Sequence, residues 1–162
     1  MRHHLFLVFL IVIILGCNNS DQKKIRSNNN DDDLPTGVDK ESLLNRANFF
    51  YKEKKYIEAI LLLDSLISMD STTGVYYFKR GYCKTMLLNN PYGAIADFNK
   101  AIERNYFKKS SAYLNIGVLY SVVLNNPDSS IYYYKECLKI DPNDKDAKSG
   151  LEAAQEALKE LN

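Results

Sequence analysis

A four-residue segment, Leu-Asn-Asn-Pro, occurs twice in the chain, at residues 88–91 and again at residues 124–127. The same spacing of 36 residues separates Gly81 from Gly117. A fainter third copy precedes these two, with Ala47 placed 34 residues before Gly81. A period in the mid-thirties, with helical spacing inside each copy, is typical of stacked helix pairs. The sequence therefore predicts an all-α solenoid, an architecture that exposes a face for binding another chain and seldom carries out chemistry.

Apolar residues recur every three to four positions from Glu41 onward, which predicts helices. They form three helix pairs, and the predicted repeats cover about residues 40–73, 74–109 and 110–144. In the second and third pairs, proline follows asparagine at the start of the second helix, which suits an asparagine N-cap with proline in the first helical position.

The last predicted helix, residues 145–161, has one apolar stripe and one charged or polar face. A terminal helix that covers the last repeat needs this pattern, because its outer side faces water. A coiled-coil dimerisation helix would show the same stripe, although two heptads are short for that role. We favour the capping helix.

The first 16 residues are typical of a secretory leader. A short basic start, residues 1–4, precedes an unbroken apolar run from Leu5 to Leu15. Eleven helical residues rise about 16 Å, which is well short of the roughly 30 Å hydrocarbon core of a bilayer. A run of this length after a positive start predicts the apolar region of a signal peptide rather than a spanning helix.

The leader ends in Ile14-Leu15-Gly16-Cys17, which resembles the lipobox of bacterial lipoproteins. The resemblance implies that residues 1–16 are removed and that Cys17 carries the lipid, so that the mature chain is anchored to a membrane of the bacterial envelope. The outer membrane, on its periplasmic or surface face, is the expected location. Residues 17–39 are rich in Asn, Asp, Ser and Lys and predict a flexible lipidated linker. The alternative is an ordinary signal peptide with an incidental cysteine.

Composition argues against several functional classes. Without the leader, 20 basic side chains balance 20 acidic ones. The chain therefore has no excess of positive charge with which to bind the phosphates of a nucleic acid. Both histidines, His3 and His4, lie in the leader, so the mature chain lacks the commonest general base and metal ligand. No glycine-rich phosphate loop or paired-cysteine metal spacing occurs. We therefore predict no catalytic residue, no metal site and no cofactor.

Two cysteines remain after the lipid-modified one. An oxidising compartment would permit a disulfide between Cys83 and Cys137. The 36-residue alignment places them on different helices of different repeats, and a cysteine in a core behaves as a small hydrophobe. We favour two buried free thiols.

Together these residues resemble the tetratricopeptide repeat, a helix-turn-helix unit of about 34 residues. The resemblance covers roughly residues 40–144 and is strongest in the third copy, through Tyr113, Gly117, Tyr120, Ser130, Tyr134, Cys137 and Pro142. The second copy departs from the pattern, with Lys84 in place of an aromatic residue and Tyr106 in place of the closing proline. The first copy also lacks that proline, at Ser71.

The resemblance implies that the first helix of each pair lines a concave groove for a protein or peptide partner. Residues predicted to line it are Asn48, Tyr51, Lys52, Phe78, Tyr82, Met86, Leu114 and Val118. An alternative for Leu114 and Val118 is contact with the neighbouring helix. Some relatives hold a terminal carboxylate through a clamp of basic residues and asparagines. Asn48 and Lys79 could belong to one, but Leu44 and Ser111 stand where that clamp needs lysine, which argues against this mode.

Two functions fit these features. The chain is either a lipid-anchored adaptor whose groove binds a partner, or a structural accessory subunit of a larger envelope assembly such as a secretion, outer-membrane or cell-wall machine. An enzyme is not predicted. The sequence leaves the partner and the oligomeric state open.

Overall fold

The computed structural model describes residues 39–161 of the chain. Within that range the secondary structure is helical and contains no strand. The helices are α1 (Lys40–Lys52), α2 (Tyr56–Met69), α3 (Gly74–Leu87), α4 (Pro91–Glu103), α5 (Lys109–Val118, extended by a π-helical turn at Leu119–Val123), α6 (Pro127–Ile140) and α7 (Lys145–Glu160). The predicted all-α class is confirmed.

Each helix packs against the next one along the chain, so α1–α2, α3–α4 and α5–α6 form pairs and α7 packs on α6. The second helix of each pair also contacts the first helix of the following pair. This serial packing produces three helix pairs closed by a C-terminal helix, as the sequence predicts. No helix within the described range has the length and apolar character needed to cross a bilayer.

Side-chain caps fix where several helices begin. Asn90 Oδ1 accepts a hydrogen bond from Gly93 N at 2.8 Å, and Asn126 Oδ1 accepts one from Ser129 N at 3.0 Å. In both cases proline follows the cap at the first helical position. The predicted Asn-Pro helix starts are therefore confirmed. Asp144 caps α7 in the same way, with Ala147 N donating at 2.8 Å.

The two Leu-Asn-Asn-Pro segments adopt different backbone conformations. Leu88 ends α3 in the left-handed region, with φ of 52°, whereas Leu124 has φ of −98°. The later copy instead follows a π-helical turn, and Leu124 N donates to Leu119 O at 3.0 Å. Its left-handed residue is Asn125, with φ of 47°. The two copies of the segment thus connect their paired helices through different turns.

Small residues lie where helices approach closely. Ala94, Ala101 and Phe98 of α4 are fully buried. A Cβ atom added to Gly81 of α3 would lie 3.2 Å from Ala94 O and 3.2 Å from the Phe98 ring. The pattern of small and aromatic residues in the sequence therefore corresponds to the contact between α3 and α4.

Both cysteines of the described range are buried free thiols, as predicted. Cys83 lies in a core cluster with Leu43, Leu63 and Leu66, and Cys137 lies in a separate cluster with Tyr134. Burial raises the pKa of Cys83 to about 11, so this thiol stays protonated at neutral pH.

Candidate partner-binding groove

The site is built on the first helix of each pair. We use the name first-helix face for a set of half-buried and exposed side chains on α1, α3 and α5. It comprises Asn48, Tyr51, Lys52, Lys79, Tyr82, Met86, Val118 and Val122. Spacings of three and four residues place these side chains on one side of each helix.

Tyr51 and Tyr82 meet at the centre of the first-helix face. Their ring centroids lie 5.3 Å apart with the planes tilted by 51°, which joins α1 to α3. Lys79, one turn before Tyr82, places its Nζ 4.8 Å from the centroid of the Tyr51 ring. This geometry is a cation–π contact, and it holds the ammonium group beside two aromatic rings.

Burial changes the protonation chemistry of this centre. It lowers the pKa of Lys79, and the positive charge of Lys52 lowers that pKa further, against an opposing effect of Cys83. Burial, followed by the effect of Tyr82, raises the pKa of Tyr51 to about 12, so its hydroxyl remains protonated at neutral pH. The centre therefore holds the Lys79 side chain beside a Tyr51 hydroxyl that keeps its proton.

An unpaired acceptor lies one turn earlier on α1. Asn48 Oδ1 is buried and has no hydrogen-bond partner within residues 39–161. A buried polar atom of this kind is uncommon and costs free energy.

On the first-helix face, the side chains at the C-terminal ends of α3 and α5 are apolar. Met86, Val118 and Val122 are exposed by 42, 38 and 76 per cent of their surfaces. Val118 and Val122 are four residues apart, so they lie on the same stripe of the helix. The first-helix face thus changes from basic and aromatic near Tyr51 to aliphatic toward these ends.

Two residues predicted for the groove are half-buried and contact neighbouring helices. Phe78 stacks on Tyr106 with centroids 4.5 Å apart and meets the Phe98 ring at 5.4 Å. Leu114 is half-buried and packs against the cluster formed by α6 and α7. The alternative of contact with a neighbouring helix therefore describes Leu114, whereas Val118 remains exposed.

The sequence offered Lys79, with Asn48, for a basic clamp but did not place it beside the Tyr51 ring. The residue lies three positions before Tyr82, and this spacing places both on one helical stripe. The positions that a basic clamp would fill with lysine hold Leu44, which is half-buried, and Ser111, whose carbonyl accepts a hydrogen bond from Asn115 Nδ2 at 2.7 Å.

The opposite side of α3 carries an ion-pair network. Arg80 donates through Nη2 and Nε to the two oxygens of Asp97, at 2.5 and 2.9 Å, and through Nη1 to Asp64 at 2.6 Å. Lys84 Nζ lies 2.8 Å from Asp97 Oδ2. The network ties α2, α3 and α4 together behind the first-helix face.

Comparisons with known proteins agree with this architecture. The tetratricopeptide repeat family model matches residues 110–144. Serine/threonine-protein phosphatase 5 from Rattus norvegicus is 26% identical over 127 residues, and the protein of that name from Homo sapiens is 25% identical over 127 residues. Each match covers 74% of this chain but only 23% of the phosphatase, so the chain spans less than a quarter of the length of these relatives.

Three solved structures are similar in fold. The Arabidopsis OM64 TPR domain has a TM-score of 0.65 at 21% identity and covers 72% of this chain and 94% of its own. The first TPR of Spaghetti (RPAP3), bound to the HSP90 peptide SRMEEVD, has a TM-score of 0.66 at 24% identity and covers 75% and 96%. The MamA protein has a TM-score of 0.68 at 24% identity and covers 74% and 63%. The predicted solenoid of TPR-like helix pairs is confirmed.

Proposed function

We propose that the chain is a lipid-anchored protein of the bacterial envelope whose first-helix face binds a peptide segment of a protein partner. The observation that carries the proposal is the exposure of aliphatic side chains, Met86, Val118 and Val122, beside an aromatic and basic centre. Apolar and aromatic side chains that are exposed together on one face suit the apolar residues of a bound helix or extended peptide.

The solved relatives support a peptide as the ligand class. One similar structure holds an HSP90 peptide, and the second TPR domain of human RPAP3 is in complex with an HSP70 peptide. The phosphatase relatives support no catalytic role, because the matched region is a small part of each of them. We therefore assign this chain recognition rather than catalysis.

Charged substitutions on the apolar part of the first-helix face test the proposal. We expect Met86→Asp and Val122→Asp to reduce recovery of the partner about tenfold or more, because an apolar contact would then have to bury an unpaired carboxylate. The full chain, extracted in mild detergent, serves as bait, and the recovered proteins are cross-linked and quantified by mass spectrometry.

Leu61→Asp is the matched control. Leu61 lies on α2 and is 62 per cent exposed, so the change adds the same charge on a different helix of the fold. Unchanged recovery with this variant, together with loss in the other two, supports the groove. Equal recovery with all four proteins would contradict it.

A second candidate role, an accessory subunit of a larger assembly, is favoured by one observation. The first helix pair exposes three large apolar side chains, Phe49, Ile57 and Leu61, by 56, 62 and 62 per cent. If the chain docks through this pair, the expected effects of the two variants are exchanged. Leu61→Asp would then abolish recovery of a complex of fixed stoichiometry, and Met86→Asp would leave that recovery unchanged.

The lipid anchor is the other part of the proposal. Cys17 and the leader lie outside the described residues, and the lipobox resemblance is their support. We expect Cys17→Ala to move the protein from the membrane fraction to the soluble fraction, because two or three acyl chains supply the anchoring energy. Cys83→Ala removes a cysteine without removing the anchor and should stay with the membrane. Membrane retention of Cys17→Ala would refute lipid anchoring. Fractionation followed by immunoblotting measures both variants.

A further inference from the structure

We infer that the basic loop between α4 and α5, residues 104–109, binds the surface of the membrane that holds the lipid anchor. In this contact Phe107 lies at the headgroup boundary, and the neighbouring cations face the phosphates of anionic lipids. The inference goes beyond the proposed peptide binding and rests on the proposed lipid anchor.

Phe107 is the most exposed large apolar side chain of the described range, at 78 per cent. The backbone before it is well ordered. Asn105 follows α4 in the left-handed region, with φ of 54°, and Tyr106 N donates to Ala101 O at 2.9 Å. The Tyr106 ring is buried and stacks on Phe78, which fixes the residue before Phe107 in the core. An ordered turn therefore holds the Phe107 ring in solvent.

Three cations lie in the same loop without acidic partners. Arg104 and Lys108 are exposed and Lys109 is half-buried, and none of them forms a salt bridge within the described range. Lys108 Nζ lies 5.5 Å from the centroid of the Phe107 ring. The sequence contains no Asp or Glu from residue 104 to residue 127. The loop is therefore locally positive although the charges of the whole chain nearly balance.

This combination fits a lipid surface better than a protein partner. The centre of a protein interface is depleted of charged residues, whereas apolar rings among lysine and arginine side chains are typical of segments that lie on anionic membranes. The carbon stems of lysine side chains pack along apolar surface while their ammonium groups stay in the polar layer. One ring and three cations bind weakly by themselves, so the contact needs a tether that holds the loop near the bilayer.

The described chain begins at the end of the stack that carries this loop. Lys40 Nζ, at the start of α1, lies 3.3 Å from Asp70 Oδ2, just after α2. At the start of α3, a Cβ atom on Gly74 would lie 3.1 Å from Arg104 O, just after α4. Residues 70–73 join these two places, so the start of α1 and the loop after α4 belong to the same end.

The predicted lipid anchor makes this end the one nearest to the bilayer. A flexible chain as long as residues 17–39 has an end-to-end distance of about 25 Å. A tether of that length raises the concentration of the loop at the surface and allows a weak contact to persist. The turn between α2 and α3 lies at the same end but carries Asp70, so the attraction to anionic lipid is strongest at the basic loop.

Tryptophan fluorescence tests the contact, because the sequence contains no tryptophan and Phe107→Trp places a single reporter in the loop. The full chain with this change is isolated in mild detergent and reconstituted into vesicles of phosphatidylglycerol and phosphatidylcholine, with or without brominated acyl chains as the quencher. We expect brominated lipid to lower the emission about twofold, because an interfacial aromatic ring lies about 5–10 Å into the boundary of headgroups and acyl chains. In vesicles of phosphatidylcholine alone this quenching should be lost.

Matched variants separate position and charge. Tyr92 is 67 per cent exposed at the start of α4, the end of that helix opposite the loop, so Tyr92→Trp should not be quenched. Replacing Lys108 and Lys109 with glutamine in the Phe107→Trp chain should reduce the quenching in anionic vesicles to the level found with phosphatidylcholine alone. Far-UV circular dichroism verifies that the variants remain folded.

Each other result overturns a distinct statement. If the protein floats with the vesicles but Phe107→Trp is quenched no more than Tyr92→Trp, the membrane contact is wrong and the lipid anchor stands. If the protein does not float with the vesicles, the anchor is wrong and the contact loses its basis. Equal quenching with and without anionic lipid would contradict the role of the cations. Loss of partner recovery by a Phe107→Asp chain in the capture experiment would assign the loop to the protein partner and overturn the membrane contact.

Discussion

Replacing Asp97 with asparagine is expected to lower the free energy of unfolding by about 3 kcal/mol, because it removes the buried carboxylate that pairs with two half-buried cations. Asp97 is 4 per cent exposed and forms salt bridges with both Arg80 and Lys84. Burial alone lowers the pKa of Arg80, but its bonds to Asp97 and Asp64 outweigh this and raise that pKa overall. The guanidinium therefore stays charged in the Asp97→Asn variant, and the free-energy cost of losing the carboxylate is not relieved by deprotonation of Arg80.

Urea denaturation followed by far-UV circular dichroism measures the loss. A double-mutant cycle with Arg80→Met isolates the pair, and we expect a coupling of at least about 1 kcal/mol, since the two side chains share two hydrogen bonds. Glu103→Gln breaks the exposed pair with Lys100 and should leave the denaturation midpoint unchanged. Equal midpoints for Asp97→Asn and Glu103→Gln would show that the network does not stabilise the stack.

The parts of the fold that follow local rules could be predicted from sequence. An asparagine before proline creates a helix start through its own side chain and the two or three residues after it, so Asn90 and Asn126 were recognisable without coordinates. The repeat spacing likewise aligned the small residues Gly81 and Gly117, and both are buried at close helix contacts, because the same contact recurs in each pair.

Features that depend on the relative rotation of several helices could not be predicted. Arg80 forms hydrogen bonds with Asp64 and Asp97, which are 16 and 17 positions away on two different helices. The periodicity of a single helix contains no information about contacts between helices. The same applies to the first-helix face. The helical stripe predicted Phe78 for the groove, but it could not show that the Tyr106 ring stacks on Phe78 or that Lys79 lies over the Tyr51 ring.

Tyr134 of α6 is enclosed by glycines from both neighbouring helices. A Cβ atom at Gly117 of α5 would lie 2.8 Å from Cδ1 of the tyrosine ring, and one at Gly150 of α7 would lie 2.5 Å from its Cζ. Tyr134 is 3 per cent exposed, so the ring has little space to move aside. One aromatic side chain therefore sets the distance from the third pair to the C-terminal helix.

Gly117→Leu is accordingly expected to lower the free energy of unfolding by about 3 kcal/mol, through overpacking against the Tyr134 ring. The sign of the effect is informative, because leucine is the better helix former and would stabilise α5 by up to about 1 kcal/mol if the space were open. Thermal and urea denaturation followed by circular dichroism give the measurement. Ala153→Leu, on the exposed side of α7, is the matched control and should change stability little.

A second substitution identifies the ring as the cause. In a Tyr134→Leu background the added side chain at residue 117 has room, so Gly117→Leu should cost less there than in the wild-type chain, by about 1 kcal/mol or more. If the cost were the same in both backgrounds, the clash would lie elsewhere in the contact between α5 and α6. A gain in stability in the wild-type chain would mean that α5 and α6 are farther apart than the Gly117–Tyr134 contact requires, and the close nesting of the third pair would be wrong.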